Sequence, residues 1–264
     1  MKKYLLVARN VWDQTLTYRL NFVMWRVRIV LSMLTMYFLW LALLPENQTI
    51  LGYTRDLMLT YILGTSIISS VVISNRSYEV GDEINNGNLS NFLLRPINYL
   101  SYQFSRDLGD KAMNIVFSIT ELTVLFMILR PPLFVQTDLG LLSLTVFACV
   151  LGMVMYFFIN FLLGMIGFWS AEGWAPRFIF VTLLTFFSGG LFPLDILPAP
   201  IFSALSYLPF TYLLFFPLKI YLGQLAAGEI IRGLIMSSIW AGVLFLTVKY
   251  VWNRGLKMYT AYGR

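Results

Sequence analysis

Histidine is absent from the 264 residues, and cysteine occurs once, at Cys149. The first absence excludes histidine-based zinc sites, bis-histidine haem ligation and every Ser-His or Cys-His nucleophile. The second excludes an intramolecular disulfide. Cys149 lies among apolar residues, Phe147 to Gly152, and reads as a small buried hydrophobe rather than a reactive thiol. The phosphate-cradling pattern G-x-x-x-x-G-K-S/T is missing, so the chain does not hold nucleotide through a P-loop. Charge is also scarce. Only 12% of residues are Asp, Glu, Lys or Arg, where a soluble domain carries about 25%. That is too little to cover a water-facing surface. With 58% hydrophobic residues, 17% aromatics and a mean hydropathy of +0.73, the composition is that of an all-α integral membrane protein.

A helical crossing needs about 20 mainly apolar residues. Six such runs are expected, at 22–44, 57–74, 112–129, 139–169, 177–192 and 230–252. Between the last two lies 193–229, apolar but broken by Pro193, Pro198, Pro200, Pro209 and Pro217. Proline removes a backbone donor and ends or kinks a helix, so this segment either dips in and returns or crosses once more. The positive-inside rule favours the return. With six spans and both termini inside, all but four of the 19 basic residues fall on the cytosolic side; the four are Arg55, Arg130, Lys219 and Arg232. A seventh crossing would place the basic tail, Lys249 to Arg264, outside. The net charge of +6 is thus read as membrane topology, with no nucleic-acid partner expected. Neither a cleavable leader nor an internal repeat of the secondary-transporter kind is seen.

Within 1–21, residues 4–20 form an amphipathic helix candidate, with Tyr4, Ala8, Val11, Trp12 and Leu16 on one face. It is expected to lie at the bilayer interface, to dock a cytosolic partner, or both. The stretch 75–111 is the longest polar segment. Glu79, Asp82 and Glu83 fall in a first short helix that Gly87 can end. Residues 89–94 form a second, stopped by Pro96. Ile97, Leu100, Phe104 and Leu108 then repeat at helical spacing, leading into the third span. A plain connection would be much shorter, so the loop is expected to be a docking element.

Glu121 interrupts the third span. A charge at that depth costs ~2.5–3.5 kcal/mol or more, so it must be protonated, paired, or facing a polar cavity. Two readings stand: a cavity or proton-relay site, or a hydrogen bond to a Ser, Thr or Asn of a neighbouring helix. Around 193–229 cluster Phe186, Phe187, Phe192, Phe210, Phe215 and Phe216. They form either an aromatic belt at headgroup level or a hydrophobic gate, because non-helical backbone at membrane depth must face protein or a water-filled cavity.

Three features together resemble the permease subunits of type-2 ATP-binding-cassette exporters, also called type V exporters. They are the N-terminal amphipathic helix, the loop Arg76-Ser77-Tyr78-Glu79 through Gly87 to Leu93-Leu94-Arg95-Pro96, and the fifth-span exit Gly189-Gly190-Leu191-Phe192-Pro193-Leu194-Asp195-Ile196-Leu197-Pro198 followed by Leu208-Pro209-Phe210. The resemblance covers nearly the whole chain. It implies a single permease domain that is itself non-catalytic, pairs with an identical or related permease, and sits on cytosolic P-loop ATPase subunits. ATP and magnesium would belong to those subunits, with no cofactor on this chain. It further implies that Glu79, Asp82, Glu83, Gly87, Leu93, Arg95 and Pro96 form the coupling region to the ATPase. Phe187, Phe192, Pro193, Asp195 and Phe210 would form an external gate, and the first and fifth spans would line the path. The expected location is the inner membrane of a prokaryote.

An apolar, aromatic path suits amphiphilic drugs, lipids or lipid-linked molecules, such as lipophilic cations, better than ions or free sugars. Two alternatives are a lipid-modifying membrane enzyme using Glu121, Glu172 or Asp195, and a stand-alone secondary transporter. The three carboxylates belong to different levels of the expected topology and could not form one site. The missing repeat and the single intramembrane acid count against the transporter.

Overall fold

The computed structural model describes residues 2–45, 49, 51–75 and 79–260. Arg76, Ser77 and Tyr78 of the loop and Arg264 of the tail therefore lie outside the described residues. Among those described, every regular element is helical: α1 (Lys2–Thr17), α2 (Arg19–Leu43), α3 (Arg55–Val72), α4 (Glu79–Asn85), α5 (Leu89–Leu93), α6 (Tyr99–Leu129), α7 (Leu139–Met165), α8 (Trp174–Phe187), α9 (Ala199–Leu205), α10 (Phe215–Tyr221) and α11 (Ala227–Met258). The fold is all-α, as the composition requires.

Helix starts are set by short polar side chains. Thr54 accepts from the Leu57 N–H, Asn98 from Ser101, and Asp138 from Gly140 and Leu141. Each takes up a donor that the first turn leaves unpaired. Gly87 ends α4's turn with a φ of +72°, a conformation that a side chain would disfavour.

α2, α3, α6, α7 and α11 are long and apolar enough to cross a membrane. Even the 18 residues of α3 reach about 27 Å at 1.5 Å per residue, close to a ~30 Å hydrocarbon core. The expected fifth span differs. α8 begins at Trp174 and stops at Phe187 after 14 residues, roughly 21 Å, rather than running to Phe192. Ser188, Gly189 and Gly190 follow it as turn, and Gly189 lies against Tyr61 and Phe215.

The two ends of the bundle are distinguished by contacts. At one end, α4 packs on α7 and on the 3₁₀ turn Ile166–Phe168, and Tyr259, just past α11, bonds to Gly87. α1 lies alongside α6 at the same end: Lys3 donates to the Pro96 carbonyl and the Trp12 indole to that of Gly109. A Cβ on Gly109 would sit 2.6 Å from the Ala8 carbonyl oxygen, so only glycine admits this approach. The two described chain ends thus share what is here termed the loop end.

The segment after α8 belongs to the opposite end. Asp195 bonds to Tyr53, just before α3, and the Tyr221 carbonyl accepts from Gln136, between α6 and α7. Between them the chain dips inward. The carbonyls of Tyr212 and Leu213 lie 3.3 and 3.6 Å from where a Cβ on Gly152, midway along α7, would project. α9 and the following stretch Pro209–Tyr221 bend by 79°. Both ends of the segment therefore meet the same end of the bundle, the geometry of a re-entrant element. The main core lies around this dip, where Met58, Ile62, Met155, Leu213 and Ile220 are buried.

Candidate functional site

The loop-end hairpin, α4–α5, is held on its inner side by polar side chains of α6. Glu83 accepts from the Tyr99 hydroxyl, from Gln103 Nε2 at 2.9 Å and from Arg106 Nη1 at 3.1 Å. Arg106 Nη2 also pairs with Glu79. Glu79 and Glu83 are one turn apart, so both carboxylates face one guanidinium. Arg106 is 7% exposed and Gln103 1%. Burial, the largest influence, raises the Glu83 carboxyl above the ordinary glutamate range, against the Tyr99 and Arg106 bonds that favour its charge. From the other side, the Tyr259 hydroxyl donates to the Gly87 carbonyl at 2.7 Å and accepts from the Ser90 N–H at 3.0 Å. The Trp252 ring stacks on Tyr99, 5.2 Å between centroids.

The seven expected coupling residues divide accordingly. Glu79 and Glu83 turn inward and Gly87 is buried in its turn, whereas Asp82, Leu93, Arg95 and Pro96 are exposed. Leu94, between them, is 86% exposed, and the Arg95 guanidinium lies over the Phe92 ring at 5.8 Å. The hairpin is thus a polar, stapled interior with a protruding Leu-Leu-Arg-Pro tip.

The apolar spacing of Leu100, Phe104 and Leu108 does not mark α6's most buried face. Leu108 is 40% exposed, while Tyr99, Gln103, Arg106, Asp107 and Lys111 are buried. Their own helical spacing was legible, but a polar stripe reads as solvent-facing until a partner is known. Beyond the hairpin, Lys111 pairs with Asp107 at 3.3 Å and donates to the carbonyls of Val72 and Ser74. Those carbonyls end α3 and have no partner within the helix; a lysine there also suits the helix dipole. α6 is thereby pinned to α4, through Arg106, and to α3, through Lys111.

Deeper in α6, Glu121 is satisfied by Arg26 of α2, with Arg26 Nε 2.7 Å from Glu121 Oε1. Asn114 and Ser118 accept from the same guanidinium at 3.1 and 3.0 Å. Of the states open to Glu121, pairing is the one found. The neighbour that supplies it is an arginine rather than a Ser, Thr or Asn, because an Arg reaches across from α2 and the short polar residues of α6 serve that Arg. Phe22, Val27, Leu31 and Phe117 form an apolar groove of about 310 Å³ beside the pair.

At the re-entrant end, Lys219, 6% exposed, donates to Asp195 Oδ2 at 2.7 Å, the Tyr53 hydroxyl at 3.1 Å and Gln224 Oε1 at 2.7 Å. Tyr53 donates to Asp195 at 2.9 Å. Tyr61 donates to the Gly189 carbonyl at 2.7 Å. Of the expected gate residues, Phe187 and Phe210 meet, 6.2 Å between ring centroids. Pro193 is buried and Phe192 half-buried. Asp195 belongs instead to a polar latch with Tyr53 and Lys219. Sequence reading assigned Lys219 only as a surface positive charge, since the partners lie 24 and 166 residues away. Among the described residues no group of three acid or cysteine side chains could hold a metal ion.

Apolar spans, a stapled hairpin between the second and third and a re-entrant segment before the last make up a multi-pass helical membrane protein. Residues 30–263 match the ABC-2 family transporter protein family, and the chain belongs to it. It is the permease component of a multi-pass membrane transporter, a class that associates with ATP-binding-cassette subunits. No curated protein matches the chain.

Proposed function

We propose that this chain is one half of an ATP-driven exporter. It pairs with a second permease, seats its Leu93–Pro96 tip on a P-loop ATPase that binds ATP and magnesium, and carries an amphiphilic or lipophilic substrate out of the cell. The observation that carries this is the continuity of α6. The helix runs unbroken from the exposed hairpin at Tyr99 to Leu129 at the far end. It is pinned to the hairpin through Arg106 and to the end of α3 through Lys111. A displacement of the tip is then passed to two spans as a rigid-body shift rather than absorbed in a loop. Asp82, Leu93, Arg95 and Pro96 offer the contact surface, and Glu79, Glu83 and Gly87 hold its shape. Phe187, Phe192, Pro193 and Phe210 serve as the gate, with Asp195 holding the re-entrant segment in place. Both termini and the loop end face the cytosol of a prokaryotic inner membrane.

The test has two parts. Extracted in mild detergent, the chain should bring down a roughly stoichiometric P-loop ATPase, identified by mass spectrometry. A related permease in the same complex would make the pair a heterodimer. Isolation of the chain alone under several mild detergents would sink the proposal. In the intact complex, Arg95→Glu should leave assembly and ATP hydrolysis in place while transport falls; full transport would remove the tip from the coupling surface.

A further inference from the structure

Arg28 is a basic side chain inside a candidate span that, like Lys249 over Phe245 and Arg254 over Tyr250, meets an aromatic ring. Its guanidinium lies over the Trp25 indole, 4.1 Å from the ring centroid, and no acid among the described residues approaches it within ion-pair distance. Both residues are exposed, Trp25 by 54%. The turn of α2 that carries them is not at the helix end. Arg26, half a turn earlier, reaches Asn114, Ser118 and Glu121 of α6. All three lie beyond Lys111, where α3 stops; Ser118 is about 10 Å further along the helix. An arginine at such depth is costly without a counter-charge.

Among the described residues no acid pairs with Arg28. Arg26 consumes Glu121, leaving that pair neutral. Neither α2 nor α8 contains an Asp or Glu, so those two faces of a second copy would bring no acid. A ligand can supply the missing charge. The arginine leans back over residue i−3, toward the loop end. Past it the same helix face continues with exposed Leu31, Thr35 and Leu39. A headgroup at the loop-end side and an apolar tail along α2 fit this arrangement.

We infer that Arg28, stacked on Trp25, is a recognition site for the acidic headgroup of an amphiphile. A guanidinium set over an indole can still turn edge donors to phosphate, sulfate or carboxylate oxygens. Lipophilic cations find no free acid on this face and are disfavoured by it. Both residues precede residue 30, where the family match begins. The site rests on geometry alone; its use for cargo rests in addition on the exporter proposal.

The test uses the full chain in nanodiscs of neutral lipid, titrated with brominated phosphatidylglycerol or brominated phosphatidylcholine. The Trp25 signal is taken as the difference between the wild type and Trp25→Phe. Brominated phosphatidylglycerol should quench it at about fivefold lower mole fraction than phosphatidylcholine, the worth of one basic side chain against an anionic lipid. Arg28→Gln should abolish the difference, and Arg28→Lys, which keeps charge but not the flat stack, should retain only part. Arg254→Gln, which removes an arginine set over Tyr250 at the loop end, should leave it intact. Equal quenching by the two lipids, or a preference that survives Arg28→Gln, overturns the site. A second arm asks the source of the ligand: in proteoliposomes with the ATPase, ATP- and Arg28-dependent movement of fluorescent phosphatidylglycerol marks cargo. Binding without movement marks a resident lipid, and leaves the site standing while cargo use fails.

Discussion

The hydroxyl of Tyr259 donates to the carbonyl of Gly87, 172 residues earlier in the chain, at 2.7 Å. The same oxygen accepts from Ser90, so one side chain past the last span closes the turn of the exposed hairpin. Tyr259→Phe keeps the ring against Phe168 and removes both bonds. At roughly 1 kcal/mol per bond, backbone protection in the hairpin should fall about thirtyfold. Hydrogen exchange by mass spectrometry on residues 84–96 reads this directly. Unchanged exchange would mean that the hairpin is held by α6 alone.

Arg106 faces two carboxylates, and its loss should expose how strongly they depend on it. Arg106→Met leaves Glu83 buried without its cation and is expected to cost about 3 kcal/mol, seen as a lower unfolding midpoint in detergent. Adding Glu83→Gln should return part of that loss, because a neutral amide still serves Tyr99 and Gln103. Additive losses in the double variant would show that the three groups do not act as one network.

The re-entrant latch should respond unequally to its two charges. Asp195 is partly open to solvent, with 30% side-chain exposure against 8% for Lys219. Asp195→Ala strands a buried ammonium and should cost about 2–3 kcal/mol. Lys219→Met removes that charge and places an apolar chain beside Phe215, so its cost should be smaller, about 1 kcal/mol. The double variant should resemble Lys219→Met. Thermal unfolding of the three variants decides it; a more damaging Lys219→Met would contradict the assigned asymmetry.

The single native thiol, Cys149, is buried, so an engineered cysteine reports cleanly on sidedness. Ser203→Cys in α9 and Thr137→Cys before α7 should both react with an impermeant maleimide on intact cells. Asn88→Cys in the hairpin should react only after permeabilisation. Labelling of Ser203→Cys only in opened cells would convert the re-entrant segment into a crossing.

Much of the architecture was legible because bilayer length and backbone chemistry act locally. The breaks at Gly87 and Pro96 fall where the hairpin turns, and the second, fourth and last expected spans match α3, α7 and α11 to within a few residues at most ends. The expected fifth span lies too far along because an apolar run continues past Phe187 into the Ser188–Gly190 turn, and hydropathy does not register where a helix stops. The polar staples were hidden for a different reason. Gln103, Arg106 and Lys111 look like a solvated stripe until α4 and the end of α3 are placed against them.

Residue content and order alone thus established that this protein lives in a membrane, that its apolar runs are long enough for helical spans, and that it carries no P-loop motif, histidine chemistry or intramolecular disulfide. Those properties are sums or absences, and no folding can alter them. Only the tertiary structure decided which charges are spent internally. Glu83, Glu121, Asp195 and Lys219 are bound to partners 16 to 166 residues away, while Arg28 and Arg95 lie over aromatic rings and pair with no acid among the described residues. A charge's role depends on the distance to its counter-charge, and that distance is created by packing, not by sequence separation.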